Sequence, residues 1–188
     1  MRRRMGLILA LFGFIAGTVC VRTGAQTPGQ AQPMLPHQLP DMGTVRTPAP
    51  PAGPLKITFE DQSAEWTAAT LAALPHTTVT VYNEHAKANQ TYSGVPLIDL
   101  LTKLGVPDKP RGKQFKIYLV AVGSDGYEVV YSLGEICPEV HDAAVLVADS
   151  EDGKPIADDG PLKLIATREK RPARWVRNLV AIRVLTAD

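Results

Sequence analysis

Tyr92-Ser93-Gly94-Val95-Pro96-Leu97-Ile98-Asp99-Leu100-Leu101 is the stretch on which the reading of the fold turns. Pro96 suits the first turn of a helix, where its missing N–H costs nothing. Leu97, Leu100, Leu101 and Leu104 then recur at i, i+3, i+4 and i+7, and Gly105 suits the position just past a helix end. Ahead of this helix, Thr77 to Tyr82 alternates, with Val79 and Val81 on one face, as a strand does.

The pattern is regular on both sides. Lys56 to Phe59 reads as a short strand, and Ser63 as the N-cap of a helix through Trp66, Ala69, Leu71 and Leu74, ended by Pro75. Phe115 to Val122 and Tyr127 to Tyr131 read as strands joined by the turn Gly123-Ser124-Asp125-Gly126. Ala143 to Ala148 is almost continuously apolar, as a strand covered on both faces would be. Glu151-Asp152-Gly153-Lys154 makes a further turn. Leu162 to Ala166 and Leu179 to Leu185 complete the strands, with Val180, Ile182 and Val184 inward. Paired strands with two isolated helices predict an α+β domain of mostly antiparallel sheets.

A second motif runs from Gly160-Pro161-Leu162 through Arg171-Pro172-Ala173-Arg174-Trp175 to Val184. Together with the Gly-Val-Pro-Leu segment, and in that order, it resembles the sulfite-oxidase-like molybdopterin-binding domain family in a short exported form. The resemblance spans Leu55 to Val184. It implies the sulfite-oxidase-like molybdopterin-binding fold, a molybdenum–pterin cofactor and two-electron oxygen-atom transfer.

One departure is plain. Catalytic relatives supply a cysteine thiolate to molybdenum from the region ahead of Gly-Val-Pro-Leu. Here that region reads Thr77-Thr78-Val79-Thr80-Val81-Tyr82-Asn83-Glu84-His85, without cysteine. The polar residues that follow the cysteine in the family, and a dimerisation domain, are not matched either, and the loop from Glu84 to Thr91 is too short to rebuild the ligand.

The first residues, Met1-Arg2-Arg3-Arg4-Met5, precede an apolar run from Gly6 to Val19 and small residues at Thr23-Gly24-Ala25, the pattern of a secretory signal. Residues 1–25 are read as that signal, and acylation at Cys20 as the lesser alternative because Val19 is bulky where small residues are wanted. No later run reaches the roughly 18 apolar residues a membrane helix needs. The location expected is periplasmic or secreted. Residues 26–54 are rich in Pro, Gln and Gly and read as a tether, with a proline-rich ligand segment as the alternative. The folded domain is placed at 55–188.

Cleavage removes Arg2, Arg3, Arg4 and Arg22 and turns a formal net charge of +1 mildly acidic. Such a chain has no global field for nucleic acid. It also leaves Cys137 as the remaining thiol, so the core must hold the domain without a disulfide.

The candidate sites follow. Residues 168 to 177 hold five basic side chains in ten positions. By the resemblance, Arg171 and Arg174 face a pterin phosphate, converging beside Tyr92, with Trp175 as the following aromatic. Guanidinium groups suit a phosphate or sulfur oxyanion, whereas a solvated turn paired with Asp158 and Asp159 is the plainer reading. Asn83 and His85 stand where the family keeps its pocket, so Asn83, His85, Tyr92, Arg171 and Arg174 form the expected cofactor or anion site. No residue is assigned as a metal ligand; a metal held without the thiolate would need some other ligand, such as His85.

Cys137-Pro138-Glu139-Val140-His141 offers a separate reading, a thiol-dependent enzyme built on Cys137 and His141. Against it, Pro138 favours a turn and no second ligand pair exists for a metal. The resulting expectation is an exported protein without thiolate–molybdenum catalysis, binding a small anion, a pterin or a periplasmic protein partner.

Overall fold

The computed structural model describes residues 53–84 and 86–188. The signal and tether assignments therefore lie outside the described residues, apart from Gly53 and Pro54, and so does His85.

Among the described residues, ten strands and three short helices follow one another: β1 Leu55–Phe59, β2 Gln62–Trp66, α1 Ala68–Leu71, β3 Thr77–Asn83, β4 Ala88–Pro96, α2 Leu97–Thr102, β5 Ile117–Gly123, β6 Glu128–Ser132, α3 Leu133–Ile136, β7 Val145–Glu151, β8 Lys154–Pro155, β9 Lys163–Ala166 and β10 Leu179–Thr186. One sheet has the order β2-β1-β10-β5-β6. The other runs β3-β4-β7-β8, with β9 also on β7. Only β1 with β10 is parallel among the described pairs; the rest are antiparallel. The expected α+β class with mostly antiparallel sheets holds.

The N-terminal region corrects one expectation. Ser63 does not cap a helix but lies in β2, which folds back on β1 through Glu60 and buries Trp66 at its end. Closing that hairpin satisfies the backbone of Gln62–Trp66 and sinks the indole, which an early helix would not do. The cap moves to Thr67: its hydroxyl accepts the Thr70 N–H while the Thr70 hydroxyl accepts the Thr67 N–H.

The Pro96 helix forms with its Leu stripe inward, since Leu97, Leu100 and Leu101 are fully buried. Gly105, at φ +85°, turns the chain out of it. What the sequence did not suggest is β4. The span read as a loop up to Thr91 is a strand from Ala88, paired with β3 on one side and β7 on the other. Before Val95 its inward residues are Gln90, Tyr92 and Gly94 rather than aliphatics, so no alternation of apolar side chains betrays it. Gly94 has its own reason: the ladder to β7 slips between Ser93 and Gly94, and a Cβ there would collide with the Val147 and Ala148 backbone.

Leu55, Ile57, Leu119, Ala121, Ile182 and Val184 from the first sheet join Tyr92, Val95, Val147, Leu164 and the α2 leucines in one core. In β10, Leu179 rather than Val180 points inward, because a bulge between Leu179 and Ala181 shifts the register. The chain between β9 and β10 links the sheets: Val176 pairs with Leu164 through both backbone hydrogen bonds, at 2.8 and 3.1 Å. That crossing brings the 172–177 segment to the mouth of a cleft.

Candidate functional site

A cleft of about 810 Å³ opens between three segments. One is the turn joining β5 to β6, with Asp125 and Tyr127. The second is the chain from Glu151 to Asp159, and the third runs from Pro172 to Arg177. Each is held by local chemistry. The Asp125 carboxylate accepts the Tyr127 N–H at 3.0 Å and so rigidifies the turn. The Asp152 carboxylate accepts the Thr91 N–H at 2.8 Å, tying the β7–β8 turn to β4. Gly160, at φ +81°, sits against the Asn178 side chain, where any Cβ would collide, and Asn178 N–H donates to the Asp159 carbonyl. Tyr127 and Tyr131 donate their hydroxyls to the Ala173 and Arg174 carbonyls, holding the Pro172 turn in place.

Lys163 lies at the floor, buried, on the strand expected over Leu162 to Ala166. Its Nζ donates to Asp159 Oδ2 at 2.6 Å and to the Tyr92 hydroxyl at 3.2 Å, with Glu151 Oε2 at 3.9 Å. The ammonium also stands 4.9 Å from the Tyr92 ring centroid and 5.7 Å from that of Trp175. Burial pulls the Lys163 pKa down, but the hydrogen bond and charge of Asp159 outweigh it and hold it above the ordinary value. That direction favours the charged ammonium held against Asp159. The network continues outward: Tyr92 donates to Gln90 Oε1, Asn83 Nδ2 donates to the same oxygen, and Gln90 Nε2 donates to Glu151.

Asn83 lines this cleft. Tyr92 is fully buried beneath it, its ring edge-on to Trp175 at 5.6 Å, so it is a core residue under the floor rather than an exposed stacking platform. Burial raises the Tyr92 pKa, against the opposing pull of Lys163. His85 lies outside the described residues.

The expected convergence of Arg171 and Arg174 beside Tyr92 does not occur. Arg171 is largely exposed, its Nε 3.7 Å from Glu84 Oε2. Arg174 forks between Glu169 and Glu135, the latter at 2.8 Å, and lies over the Tyr131 ring at 4.6 Å. Burial lowers the Arg174 pKa, but the two carboxylates raise it further, and the guanidinium stays charged. The reason is local. Arg174 ends a 3-10 turn, Pro172–Arg174, whose geometry sends it toward α3, where Glu135 caps the helix from Ser132.

The Cys137–His141 reading finds no support in geometry. Cys137 is fully buried and its Sγ donates to the Asp108 carbonyl at 2.8 Å. His141 Nδ1 accepts the Ala143 N–H at 3.2 Å, and no hydrogen bond joins the thiol to the ring. No group of three or more His, Cys, Asp or Glu stands ready for a metal ion among the described residues.

Sequence reasoning missed Lys163, Asp125, Glu151 and Asp152 as site residues; it named Asp159 only as a partner of the basic turn, and Arg177 does meet Asp159 at 3.7 Å. One signal was present: a lone lysine inside the apolar strand Leu162-Lys163-Leu164-Ile165-Ala166 must be buried, hence paired.

Comparison with protein families and with curated proteins gives no match. Among solved structures, the sulfane dehydrogenase SoxCD from Paracoccus pantotrophus is similar, with a TM-score of 0.53 and 21% identity. The likeness is one of fold. It covers 70% of this chain and 37% of the other, so this chain spans well under half of that protein's length. The shared architecture is consistent with the sulfite-oxidase-like fold that the two sequence motifs imply.

The residues of the cleft do not fit a phosphate-bearing molybdenum–pterin. Five carboxylates line it, from Asp125, Glu151, Asp152, Asp158 and Asp159, against the cations of Lys154, Lys163 and Arg177. Two of those cations are already matched within the wall, Lys163 by Asp159 and Arg177 by Asp159 at 3.7 Å. A phosphate would therefore meet excess negative charge, and the one described thiol, Cys137, is engaged elsewhere. No helix among the described residues is long and apolar enough to cross a membrane.

Proposed function

We propose that this chain is an exported, non-catalytic binding domain on a molybdopterin-oxidoreductase-like fold. Its ligand occupies the cleft floored by Lys163. The observation that carries this reading is the cleft itself, an open space of about 810 Å³ whose walls are tied by Asp152, Tyr127 and the Lys163–Asp159 pair, with Asp125 bracing its own turn. Rigid walls reduce the ordering cost of binding. The sequence resemblance suggests a pterin, and the charge of the walls favours an uncharged pterin over its phosphate. Carboxylates accept from the amino and ring N–H groups of such a heterocycle, as they do in charge-assisted recognition generally. Export to the periplasm or medium, followed by binding of a small ligand or of a protein partner there, is the expected setting.

A second reading, a working molybdopterin oxidoreductase with an atypical metal ligand, draws on the fold likeness to a dehydrogenase. Mass-spectrometric metal analysis of protein from a molybdenum-replete host separates the two. We expect substoichiometric molybdenum. Titration with pterin and with a pterin phosphate, followed by tryptophan fluorescence, should show the uncharged compound binding more tightly. Stoichiometric molybdenum, or preference for the phosphate, sinks the binding-domain reading.

A further inference from the structure

β3 is an edge strand. Among the described residues it pairs only with β4, so the other side of its ladder carries no described strand. Edge strands are usually protected by charge, proline or a bulge. Thr77-Thr78-Val79-Thr80-Val81-Tyr82-Asn83 has none of these, and its pairing with β4 runs without a register shift. Six of its seven residues are β-branched or aromatic, the types that pack best on a pleated surface.

The strand is also nearly its own complement. Antiparallel pairing of two copies about Thr80 sets Val79 opposite Val81, Thr78 opposite Tyr82, and Thr80 opposite itself. Directly opposed residues share a face. The half-buried Val79 and Val81 of both copies would therefore fall on one side, and the exposed Thr78, Thr80 and Tyr82 on the other. Tyr82, 58% exposed, gains a cross-strand neighbour. The ends need no new ion pair: the same register sets Glu84 opposite His76, and each already has a partner in its own chain, Arg171 at 3.7 Å and Asp149 at 2.9 Å.

We infer that β3 is a homodimerisation edge: two copies of this chain join their second sheets, β3 to β3, antiparallel about a two-fold axis at Thr80. Isologous pairing of this kind closes on itself and stops at two.

The test is sedimentation of the protein as its host makes it, over a wide concentration range. A monomer–dimer equilibrium is expected for the unaltered chain. Thr80→Lys and Thr80→Glu, at an exposed edge position, should each abolish the dimer by setting like charges directly opposite one another. An equimolar mixture of the two variants should restore it as a heterodimer. Equal melting temperatures establish that the variants fold, and slower amide exchange of Val79 to Val81 at high concentration reads the same edge without any substitution. An unaltered chain that stays monomeric throughout, a Thr80→Lys dimer as stable as the original, or a mixture that remains monomeric overturns the inference. A monomer that instead takes up an extended peptide on β3 overturns the choice of partner.

Discussion

Lys163 Nζ and Asp159 Oδ2 stand 2.6 Å apart at the floor of the cleft, with side chains only 5% and 20% exposed. A pair this enclosed is costly to break from one side, because the surviving charge is left without its partner. Lys163→Ala should lower stability by about 3–5 kcal/mol in denaturant titration. Lys163→Met combined with Asp159→Asn, which removes both charges, should recover most of that loss. A Lys163→Ala loss of only a few tenths would mean the pair is solvated and the floor of the cleft is open.

The basic turn divides into two behaviours. Arg174 is shared by Glu135, Glu169 and the Tyr131 ring, so Arg174→Ala should lower the melting temperature clearly. Arg171 is 80% exposed with one long contact to Glu84, so Arg171→Ala should fall within about 0.5 kcal/mol of the parent. Equal effects from the two would contradict this division.

His76 makes stability depend on pH. Its Nδ1 faces the Leu74 carbonyl at 2.7 Å and its Nε2 faces Asp149 at 2.9 Å, so the imidazolium satisfies both acceptors. The Asp149 hydrogen bond, partly opposed by burial and aided by Leu74, raises the pKa above 6.5. A raised folded-state pKa gives stability that is fully present below 6.5 and is lost as pH rises through the folded value. The melting temperature of the parent should decline through that window more steeply than that of His76→Gln. Parallel curves would show that His76 does not titrate with folding.

Cys137 should resist alkylation in the native state, because its thiol is buried and bonded to the Asp108 carbonyl. Labelling should speed up only as denaturant opens the fold, and Cys137→Ala should leave ligand binding unchanged. Rapid labelling at neutral pH without denaturant would revive a reactive-thiol role.

Much of the architecture can be read from the sequence, because it depends on local chemistry. The Leu stripe after Pro96, the Gly123–Gly126 turn and the apolar run into β7 are each written in short-range pattern, whereas the role of Lys163 in β9 emerged only from its folded partners. The absence of a cysteine ahead of Gly-Val-Pro-Leu is likewise a fact of sequence alone. Other features are decided between segments distant in the chain. β4 is a strand because β3 and β7 flank it, although its own inward residues are Gln90, Tyr92 and Gly94. β2 is a strand because β1 is beside it, which displaces the helix cap from Ser63 to Thr67. Arg171 and Arg174, three residues apart, were expected to share a ligand. The turn between them sends one to Glu84 and the other to Glu135 and Glu169. Composition counted those arginines, but the carboxylates that claim them come from other parts of the chain, and only tertiary folding brings such partners within hydrogen-bond reach.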